Sequence, residues 1–278
     1  MNIIKNYILP GKNQKPILLD FGYKTTEQKK PIVLFVHGFK SFKDWGHYNK
    51  VMVYFIENDF GFVKFNFSHN GGTMQEPVNF PDLEAFGNNN YTKELNDMET
   101  VLDWITTTDE LPEQEIDKNL IYLIGHSRGG GISIIKAFED KRIKKLVTWA
   151  AVSNFLARLP KDLTTWKNNG VVYIENVRTQ QQMPLYYQFV EDNLKNKERF
   201  NIENATKGLS IPFLIVHGTA DEAVGVKEAQ DLKQWDKNAE VFLIEGSNHA
   251  FGAKHPFDKE KFPADFQKVI DKTIAFLK

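Results

Sequence analysis

Residues 120–131, with the sequence LIYLIGHSRGGG, carry the strongest structural signal in this chain. The apolar run at 120–124 is predicted as a buried strand, and a stretch with helical periodicity follows the glycines. Between them, Gly125 and Gly129 flank Ser127 in the pattern GxSxG, which is typical of a sharp strand-to-helix turn that exposes its serine. The alternative is a glycine-rich turn that serves packing alone. The position between a strand and a helix favours Ser127 as a candidate nucleophile.

Similar apolar, β-branched runs recur along the chain and alternate with stretches whose apolar residues return at helical spacing. This alternation predicts an α/β protein with a mostly parallel sheet and helices on both faces. Before it, the runs 2–9 and 17–21 predict an antiparallel hairpin at one edge of the sheet. The other predicted strands are 31–36, 62–67, 119–124, 143–149, 211–216 and 240–244, and the predicted helices are 92–106, 130–139, 227–235 and 264–277.

The alternation of strands and helices is interrupted twice. Residues 153–210 lack it over too great a length for a simple connection. We therefore predict a cap (lid) inserted there into an α/β core that comprises residues 1–152 and 211–278. Residues 68–91 are rich in Gly, Asn and Pro and predict an irregular surface loop.

The composition excludes several classes of function. The chain has 35 basic and 36 acidic residues and a formal net charge of -1, so no general positive field would attract nucleic acid or an anionic membrane. It has no cysteine, which rules out a disulfide framework, a thiolate nucleophile and cysteine-ligated metal. No apolar run approaches the length of a membrane span or of a signal-peptide core. We therefore expect a cytoplasmic protein with no nucleic-acid or membrane partner and no metal site.

A serine nucleophile needs a histidine base and a carboxylate that orients the base. One predicted strand is followed by HGTAD, which ends at Asp221, and the next strand is followed by a loop that contains His249. Active sites of parallel sheets gather at the carboxyl ends of the strands. Asp221 could instead cap a helix, Glu222 is a rival acid, and His249 taken alone could be a surface or core histidine. The chain order Ser, Asp, His favours a triad of Ser127, Asp221 and His249.

Acyl transfer also needs hydrogen-bond donors that stabilise the developing oxyanion. The turn His37-Gly38-Phe39 ends the predicted strand 31–36, and Arg128 follows the candidate nucleophile at the start of a helix. The backbone N–H groups of Phe39 and Arg128 are therefore the candidate oxyanion donors. For His37 and Gly38, an ordinary strand-ending turn is the alternative.

With these motifs the chain resembles the α/β-hydrolase superfamily over essentially its whole length. It looks most like the branch of serine esterases, acyl-aminopeptidases and feruloyl esterases with an inserted cap. The resemblance rests on His37-Gly38-Phe39, the GHSRG around Ser127, the HGTAD that ends at Asp221, and Asn248-His249. It implies an eight-stranded, mostly parallel sheet, the triad named above and no cofactor. A DxxGxGxS run that is frequent in the esterase branch is replaced here by NFSHNGG at residues 66–72.

These observations predict a serine hydrolase that cleaves carboxylic esters of small molecules through an acyl-enzyme. One alternative is a serine aminopeptidase-like peptidase, in which Glu175 or Glu191 would bind the amino terminus of the substrate. Another is a non-catalytic binder that has kept the fold. Large side chains in or next to the cap are candidates for lining an apolar substrate pocket, or for packing the cap onto the core. They are Trp149, Trp166, Tyr173, Met183, Tyr186 and Tyr187.

Overall fold

The computed structural model describes all 278 residues and contains ten strands. In chain order they are β1 (Asn2–Leu9), β2 (Ile17–Tyr23), β3 (Lys30–Val36), β4 (Gly61–Asn66), β5 (Ile116–His126), β6 (Ile143–Trp149), β7 (Val171–Asn176), β8 (Gln181–Tyr186), β9 (Phe213–Gly218) and β10 (Glu240–Ile244). The main sheet has eight strands in the order β1-β2-β4-β3-β5-β6-β9-β10. In this sheet β2 pairs antiparallel with both β1 and β4. The remaining five pairings, which link β4, β3, β5, β6, β9 and β10, are parallel. The predicted α/β fold, with its mostly parallel eight-stranded sheet and edge hairpin, is confirmed.

Nine α-helices accompany the strands. They are α1 (Tyr48–Glu57), α2 (Leu83–Gly87), α3 (Tyr91–Thr107), α4 (Arg128–Glu139), α5 (Thr164–Asn169), α6 (Gln188–Lys195), α7 (Ile202–Lys207), α8 (Lys227–Trp235) and α9 (Ala264–Leu277). None of them combines the length and the apolar content that a bilayer crossing requires.

Side chains of the central strands alternate between the two faces of the sheet. In β3, Ile32 and Leu34 join the apolar cluster that includes α3, α4 and α8, whereas Val33 and Phe35 join the cluster that includes α1 and α9. All four side chains are buried. Because both faces of the sheet are covered, the parallel strands are nearly continuous apolar runs in the sequence.

Residues 153–210, the predicted cap, connect β6 to β9. β7 and β8 lie in this segment and form an antiparallel sheet of their own, separate from the main sheet. Phe189, Phe200 and Ile202 from the segment belong to the same apolar cluster as α3 and α4. The segment is therefore packed onto the core through a continuous apolar contact.

Residues 68–82 are irregular, as predicted, but the stretch 68–91 is not simply a surface loop, because residues 68–71 are buried and a short helix follows. The stretch contains α2, and Phe80 and Phe86 are buried in an apolar cluster with Met183 of β8. β8 also packs directly against α2. The burial was not predicted because the strand that covers this stretch comes from a distant part of the sequence.

Four charged side chains, of which Asp20, Lys43 and Lys64 are buried, form a cluster between β2, β4 and the loop after β3. Asp20 contacts Lys43 Nζ at 2.8 Å and Lys64 Nζ at 2.6 Å, and the same two ammonium groups lie 2.6 and 2.5 Å from Asp44. Burial alone would raise the pKa of Asp44, but the charges of Lys64 and Lys43 outweigh it and lower that pKa to about 2. The cluster was not predicted from the sequence. It ties the loop after β3 to the sheet.

We predict that Asp20→Asn destabilises the protein strongly. It would leave Lys43 and Lys64 buried with Asp44 as their one counter-ion, and removing one partner of a buried ion pair costs about 3–5 kcal/mol. Urea unfolding measures the difference from the parent protein. Asp59→Asn is the matched control because the Asp59 side chain is 62% exposed, and it should change stability by less than about 0.5 kcal/mol. Equal stability of the two variants would contradict the prediction.

Candidate active site

Ser127 lies at the turn where β5 passes into α4. Its φ of 57° and ψ of -124° lie in a region that residues other than glycine rarely occupy. The flanking glycines are required by close packing. A β-carbon on Gly125 would lie 2.4 Å from Ser133 Oγ, and one on Gly129 would lie 2.4 Å from the carbonyl oxygen of His37. The turn therefore presents Ser127 at the carboxyl end of β5, as the GxSxG pattern predicts.

The structure brings Ser127, His249 and Asp221 into one hydrogen-bonded line. Ser127 Oγ lies 3.0 Å from Nε2 of His249, and Asp221 Oδ2 lies 2.7 Å from Nδ1 of the same ring. With Asp221 ionised, Nδ1 of His249 carries the ring proton and donates it to the carboxylate. Nε2 is then free to accept the hydroxyl proton of Ser127. This arrangement can activate a serine nucleophile.

The surroundings of Asp221 favour its ionised form. Its Oδ1 accepts the backbone N–H groups of Ala223 at 2.9 Å and Val224 at 2.8 Å. Burial alone would raise the pKa of Asp221, but hydrogen bonds from His217, His249 and the Val224 N–H outweigh that effect. They hold the pKa below its ordinary range, so a fixed negative charge faces His249.

The alternatives considered for the acid and the base do not fit this geometry. Glu222 is exposed and makes no side-chain hydrogen bond. The residue that caps α8 is Val226, so Asp221 does not cap that helix. His249 has both ring nitrogens engaged and a side chain that is 27% exposed, which distinguishes it from a free surface histidine.

A second histidine, His126, supports the loop that carries His249. Its Nε2 lies 3.1 Å from the carbonyl oxygen of His249, and its Nδ1 lies 3.3 Å from the hydroxyl of Tyr48. Burial lowers the pKa of His126 to about 3, so the ring is neutral. Nε2 then donates to the carbonyl and Nδ1 accepts from Tyr48. Sequence analysis missed this support, and the available signal was a histidine at the last position of a buried strand.

The peptide between Gly38 and Phe39 lies against the candidate nucleophile. A β-carbon on Gly38 would lie 2.9 Å from Cβ of Ser127. Burial lowers the pKa of His37 to about 4, so its neutral ring donates from Nδ1 to the Gly38 carbonyl at 2.8 Å and accepts the Phe67 N–H at Nε2 at 3.4 Å. The C=O and N–H of a trans peptide point in opposite directions. His37 therefore turns the Phe39 N–H away from itself and fixes its direction.

Two backbone N–H groups next to Ser127 are free. Neither Phe39 nor Arg128 donates its N–H to a backbone carbonyl, and both residues line a cavity together with Ser127. The N–H of Arg128 is the first of α4, where the helix dipole adds a partial positive charge. The two groups can therefore donate to an oxyanion formed at Ser127.

Two cavities share Phe39, Ser127 and His249 in their walls. The larger has a volume of about 490 Å³ and mainly apolar walls, and the smaller has a volume of about 130 Å³ and more polar ones. Side chains that line the larger cavity include Phe155, Trp166, Val172, Ile174, Leu185 and Phe189. Those that line the smaller cavity include Lys40, Ser41, Trp45, Tyr48 and His126.

Of the six side chains predicted to line a substrate pocket, Trp166 alone lies in the wall of the larger cavity. Trp149 belongs to the apolar cluster with α1 and α9, where its Nε1 donates to Thr273 Oγ1 at 3.0 Å. The Trp149 side chain therefore lies on the face of the sheet that α1 and α9 cover, and not in the cavity wall. Met183 is fully buried in the cluster beneath α2.

The three predicted tyrosines also lie outside the cavity walls. Val172 and Ile174 line the larger cavity, whereas Tyr173 between them is 60% exposed. Side chains alternate along a strand, so a wall formed by β7 uses every second residue. Tyr186 donates its hydroxyl to a carboxylate of α2, and Tyr187 lines neither cavity. Aromatic character alone was thus a poor guide to the pocket.

A family model described as BD-FAE matches residues 19–235 of the chain. The search of curated protein sequences found no match to this chain. Among solved structures, Est1E from Butyrivibrio proteoclasticus with bound ferulic acid is similar at 19% identity and a TM-score of 0.73, over 98% of this chain and 97% of that one. The α/β-hydrolase GrgF from Penicillium sp. sh18 is similar at 14% identity and a TM-score of 0.76, over 100% and 98%. A monoacylglycerol lipase from Paleococcus ferrophilus is similar at 14% identity and a TM-score of 0.65, over 94% and 98%.

These similarities extend over nearly the whole length of each chain. They confirm the predicted α/β-hydrolase fold, and with the family match they confirm the resemblance to its esterase branch.

We predict that Gly38→Ala slows the reaction of Ser127 with a fluorophosphonate probe by about 10²–10³-fold. The added methyl group must displace either the serine or the peptide that carries the Phe39 N–H, because it would lie 2.9 Å from Ser127 Cβ. Gly225→Ala is the control, since no atom lies within 4 Å of its β-carbon position. Labelling at the same rate in both variants would show that the Gly38 peptide has no part in the reactivity of Ser127.

Proposed function

The chain belongs to the BD-FAE family, and we propose that it is a serine esterase that hydrolyses carboxylic esters of small molecules. The observation that carries this proposal is the line from Ser127 Oγ through His249 to Asp221, with distances of 3.0 and 2.7 Å. Nucleophile, base and orienting acid are all within hydrogen-bond reach without movement of the chain.

In the proposed mechanism, Ser127 Oγ attacks the ester carbonyl while His249 Nε2 takes its proton. The N–H groups of Phe39 and Arg128 donate to the oxyanion of the tetrahedral intermediate. The intermediate collapses to an acyl-enzyme as the C–O bond to the alcohol breaks and His249 returns the proton to the leaving oxygen. Water then attacks the acyl group by the same steps, which releases the acid and regenerates the serine. Asp221 holds the His249 tautomer throughout.

We assign the larger cavity to the acyl group and the smaller one to the alcohol. The larger cavity has the size and the apolar walls of a small-molecule pocket, and a similar solved structure contains ferulic acid, an aromatic acid. The smaller cavity is lined by Ser41, whose hydroxyl has no partner within the protein, and by the amine-bearing Lys40, and both groups suit a polar alcohol.

Residues 153–210 are proposed to act as the cap that determines the acyl group. Trp166, Val172, Ile174 and Leu185 from this segment form much of the larger cavity's wall, opposite the residues of the core. Replacing this segment would therefore change the substrate without touching Ser127, His249 or Asp221.

The peptidase alternative has no comparable support. Glu175 and Glu191 are absent from both cavity walls, and no other acidic side chain lines them. A substrate with a free amino terminus would therefore meet no carboxylate there. A non-catalytic binder would not require the hydrogen bonds that join Ser127, His249 and Asp221.

Ser127→Ala should lower kcat/KM for p-nitrophenyl esters by at least about 10³-fold, because the remaining groups bind and polarise the ester without attacking it. The substrates are a series of acyl groups from acetate to long chains, together with p-nitrophenyl benzoate and cinnamate. Ser210→Ala is the matched control because Ser210 is exposed and distant in sequence from the turn. Retained hydrolysis in Ser127→Ala would exclude this serine as the nucleophile.

Asp221→Asn should lower kcat by about 10³–10⁴-fold, since an amide no longer holds His249 in the productive tautomer. Glu222→Gln changes the neighbouring carboxylate in the same way and should have no comparable effect, because Glu222 is exposed. Steady-state hydrolysis of the best ester of the series gives both values. If Glu222→Gln is the damaging substitution, the acid has been wrongly assigned.

A further inference from the structure

The larger cavity contains two polar groups that neither the proposed mechanism nor the surrounding protein uses fully. Arg128 lines it with a side chain that is 13% exposed. A single side-chain hydrogen bond holds its guanidinium, from Nη1 to Glu94 Oε1 at 3.3 Å. Tyr91 is 2% exposed and also lines the cavity, and its hydroxyl makes no hydrogen bond within the protein. Both residues therefore offer free donors to a ligand.

The other polar side chains of this wall, apart from Ser127 and His249, are those of Trp166 and Arg158. Trp166 Nε1 donates to the carbonyl oxygen of Leu185 at 2.8 Å. Arg158 donates to the carbonyl oxygen of Ala223 at 2.9 Å and to a carboxylate oxygen of Glu228, which uses two of its five N–H donors. Its side chain is 37% exposed. No acidic side chain lines the cavity. Among the mostly buried side chains of this wall, Arg128 and Tyr91 are therefore the ones with unused donors.

Aromatic rings hold the Arg128 guanidinium in place. Its central carbon lies 3.8 Å from the centre of the Phe39 ring, 5.4 Å from that of Tyr91 and 5.5 Å from that of Phe189. These are cation–π distances, and the rings leave the long side chain little freedom. Tyr91 is itself fixed by stacking on Phe155, with ring centres 3.9 Å apart. The donors are therefore in position before a ligand arrives.

Glu94 anchors Arg128 without satisfying it. Glu94 is buried outside the cavity wall, and the Nδ2 of Asn89 donates to the same oxygen that Arg128 contacts, at 2.8 Å. Its other oxygen, Oε2, is buried and has no hydrogen-bond partner. Burial raises the pKa of Glu94, although the Arg128 charge opposes this effect. The ion pair of Arg128 and Glu94 is therefore held by one hydrogen bond, and Arg128 is the member that lines the cavity.

A buried guanidinium with unused donors costs free energy unless a ligand brings an acceptor. Its planar fork matches the two oxygens of a carboxylate, and a tyrosine hydroxyl can add a further bond to the same group. We propose that Arg128 and Tyr91 bind a carboxylate on the acyl group of the substrate, so that the preferred substrates are monoesters of dicarboxylic acids with an apolar or aromatic spacer. This inference rests on the proposed function, because it places the acyl group in the larger cavity.

The test compares matched pairs of p-nitrophenyl esters. In each pair the acyl group ends in a free carboxylate or in its methyl ester, and the series covers aliphatic spacers of increasing length and an aromatic one. Release of nitrophenolate gives kcat/KM for both members. At the best spacer we expect the carboxylate to be favoured by at least about tenfold, since hydrogen bonds to charged groups discriminate at this level.

Two substitutions test the assigned residues. Tyr91→Phe removes one hydroxyl and should reduce the preference for the carboxylate by about three- to tenfold. Arg128→Met should abolish the preference, and Arg128→Lys should restore part of it, because an ammonium keeps the charge and loses the fork. Since Arg128→Met leaves Glu94 buried without its cation, Arg128→Met combined with Glu94→Gln serves if the single variant does not fold. Tyr186→Phe is the matched control, because the Tyr186 hydroxyl is bonded to Glu84 outside the cavity.

A binding measurement separates this inference from the proposed function. Titration calorimetry on Ser127→Ala compares the monomethyl ester of the best dicarboxylic acid with its dimethyl ester. We expect the monoester to bind at least about tenfold more tightly and to lose that advantage when Arg128 is also replaced. If neutral esters are hydrolysed through Ser127 and no carboxylate preference appears, or it survives both substitutions, the inference is overturned and the proposed function stands. If no ester is hydrolysed, equal binding of the two ligands overturns the inference too, whereas tighter, Arg128-dependent binding upholds the carboxylate site alone.

Discussion

The close packing of backbone at Ser127 is the constraint from which the site follows. Gly129 lies so near the end of β3 that a β-carbon on it would meet the carbonyl oxygen of His37. The last residues of β3 are therefore pressed against the first turn of α4. As a result, the peptide that follows β3 and the N–H groups that begin α4 converge on the same point. The close approach of β3 to α4 therefore positions both the candidate nucleophile and the candidate oxyanion donors.

Neutral histidines do much of the positioning around this point. His37 and His126 are buried, and burial lowers the pKa of both rings far enough to keep them uncharged. Each then has one donor and one acceptor nitrogen, and each uses the donor to hold a backbone carbonyl, that of Gly38 or that of His249. A charged ring would need a counter-ion in these places. The negative charge that faces His249 is on Asp221, where hydrogen bonds favour it.

The pocket was harder to predict than the reactive residues, and β7 shows why. Aromatic side chains are typical of an apolar pocket wall, so the sequence favours Tyr173 over its aliphatic neighbours as a lining residue. The strand turns Val172 and Ile174 inward and Tyr173 outward, because side chains alternate and the neighbouring turn sets which face is inside. The side chains of Tyr91 and Arg128 are not predicted to line the pocket. The sequence points to Arg128 only for its backbone N–H, and Tyr91 falls at the end of the predicted loop 68–91, whereas the structure makes it the first residue of α3.

Local patterns in the chain were sufficient for the α/β architecture, for the sharp turn at Ser127 and for the loops that hold Asp221 and His249. Such patterns report backbone conformation, which depends on a few adjacent residues, and the carboxyl ends of parallel strands must then meet. The folded chain was needed for the Arg128 contact with Glu94, the support of His249 by His126 and the buried cluster of Asp20 with Lys43 and Lys64. These contacts join residues far apart in the chain, and their strength comes from burial, which no local pattern contains.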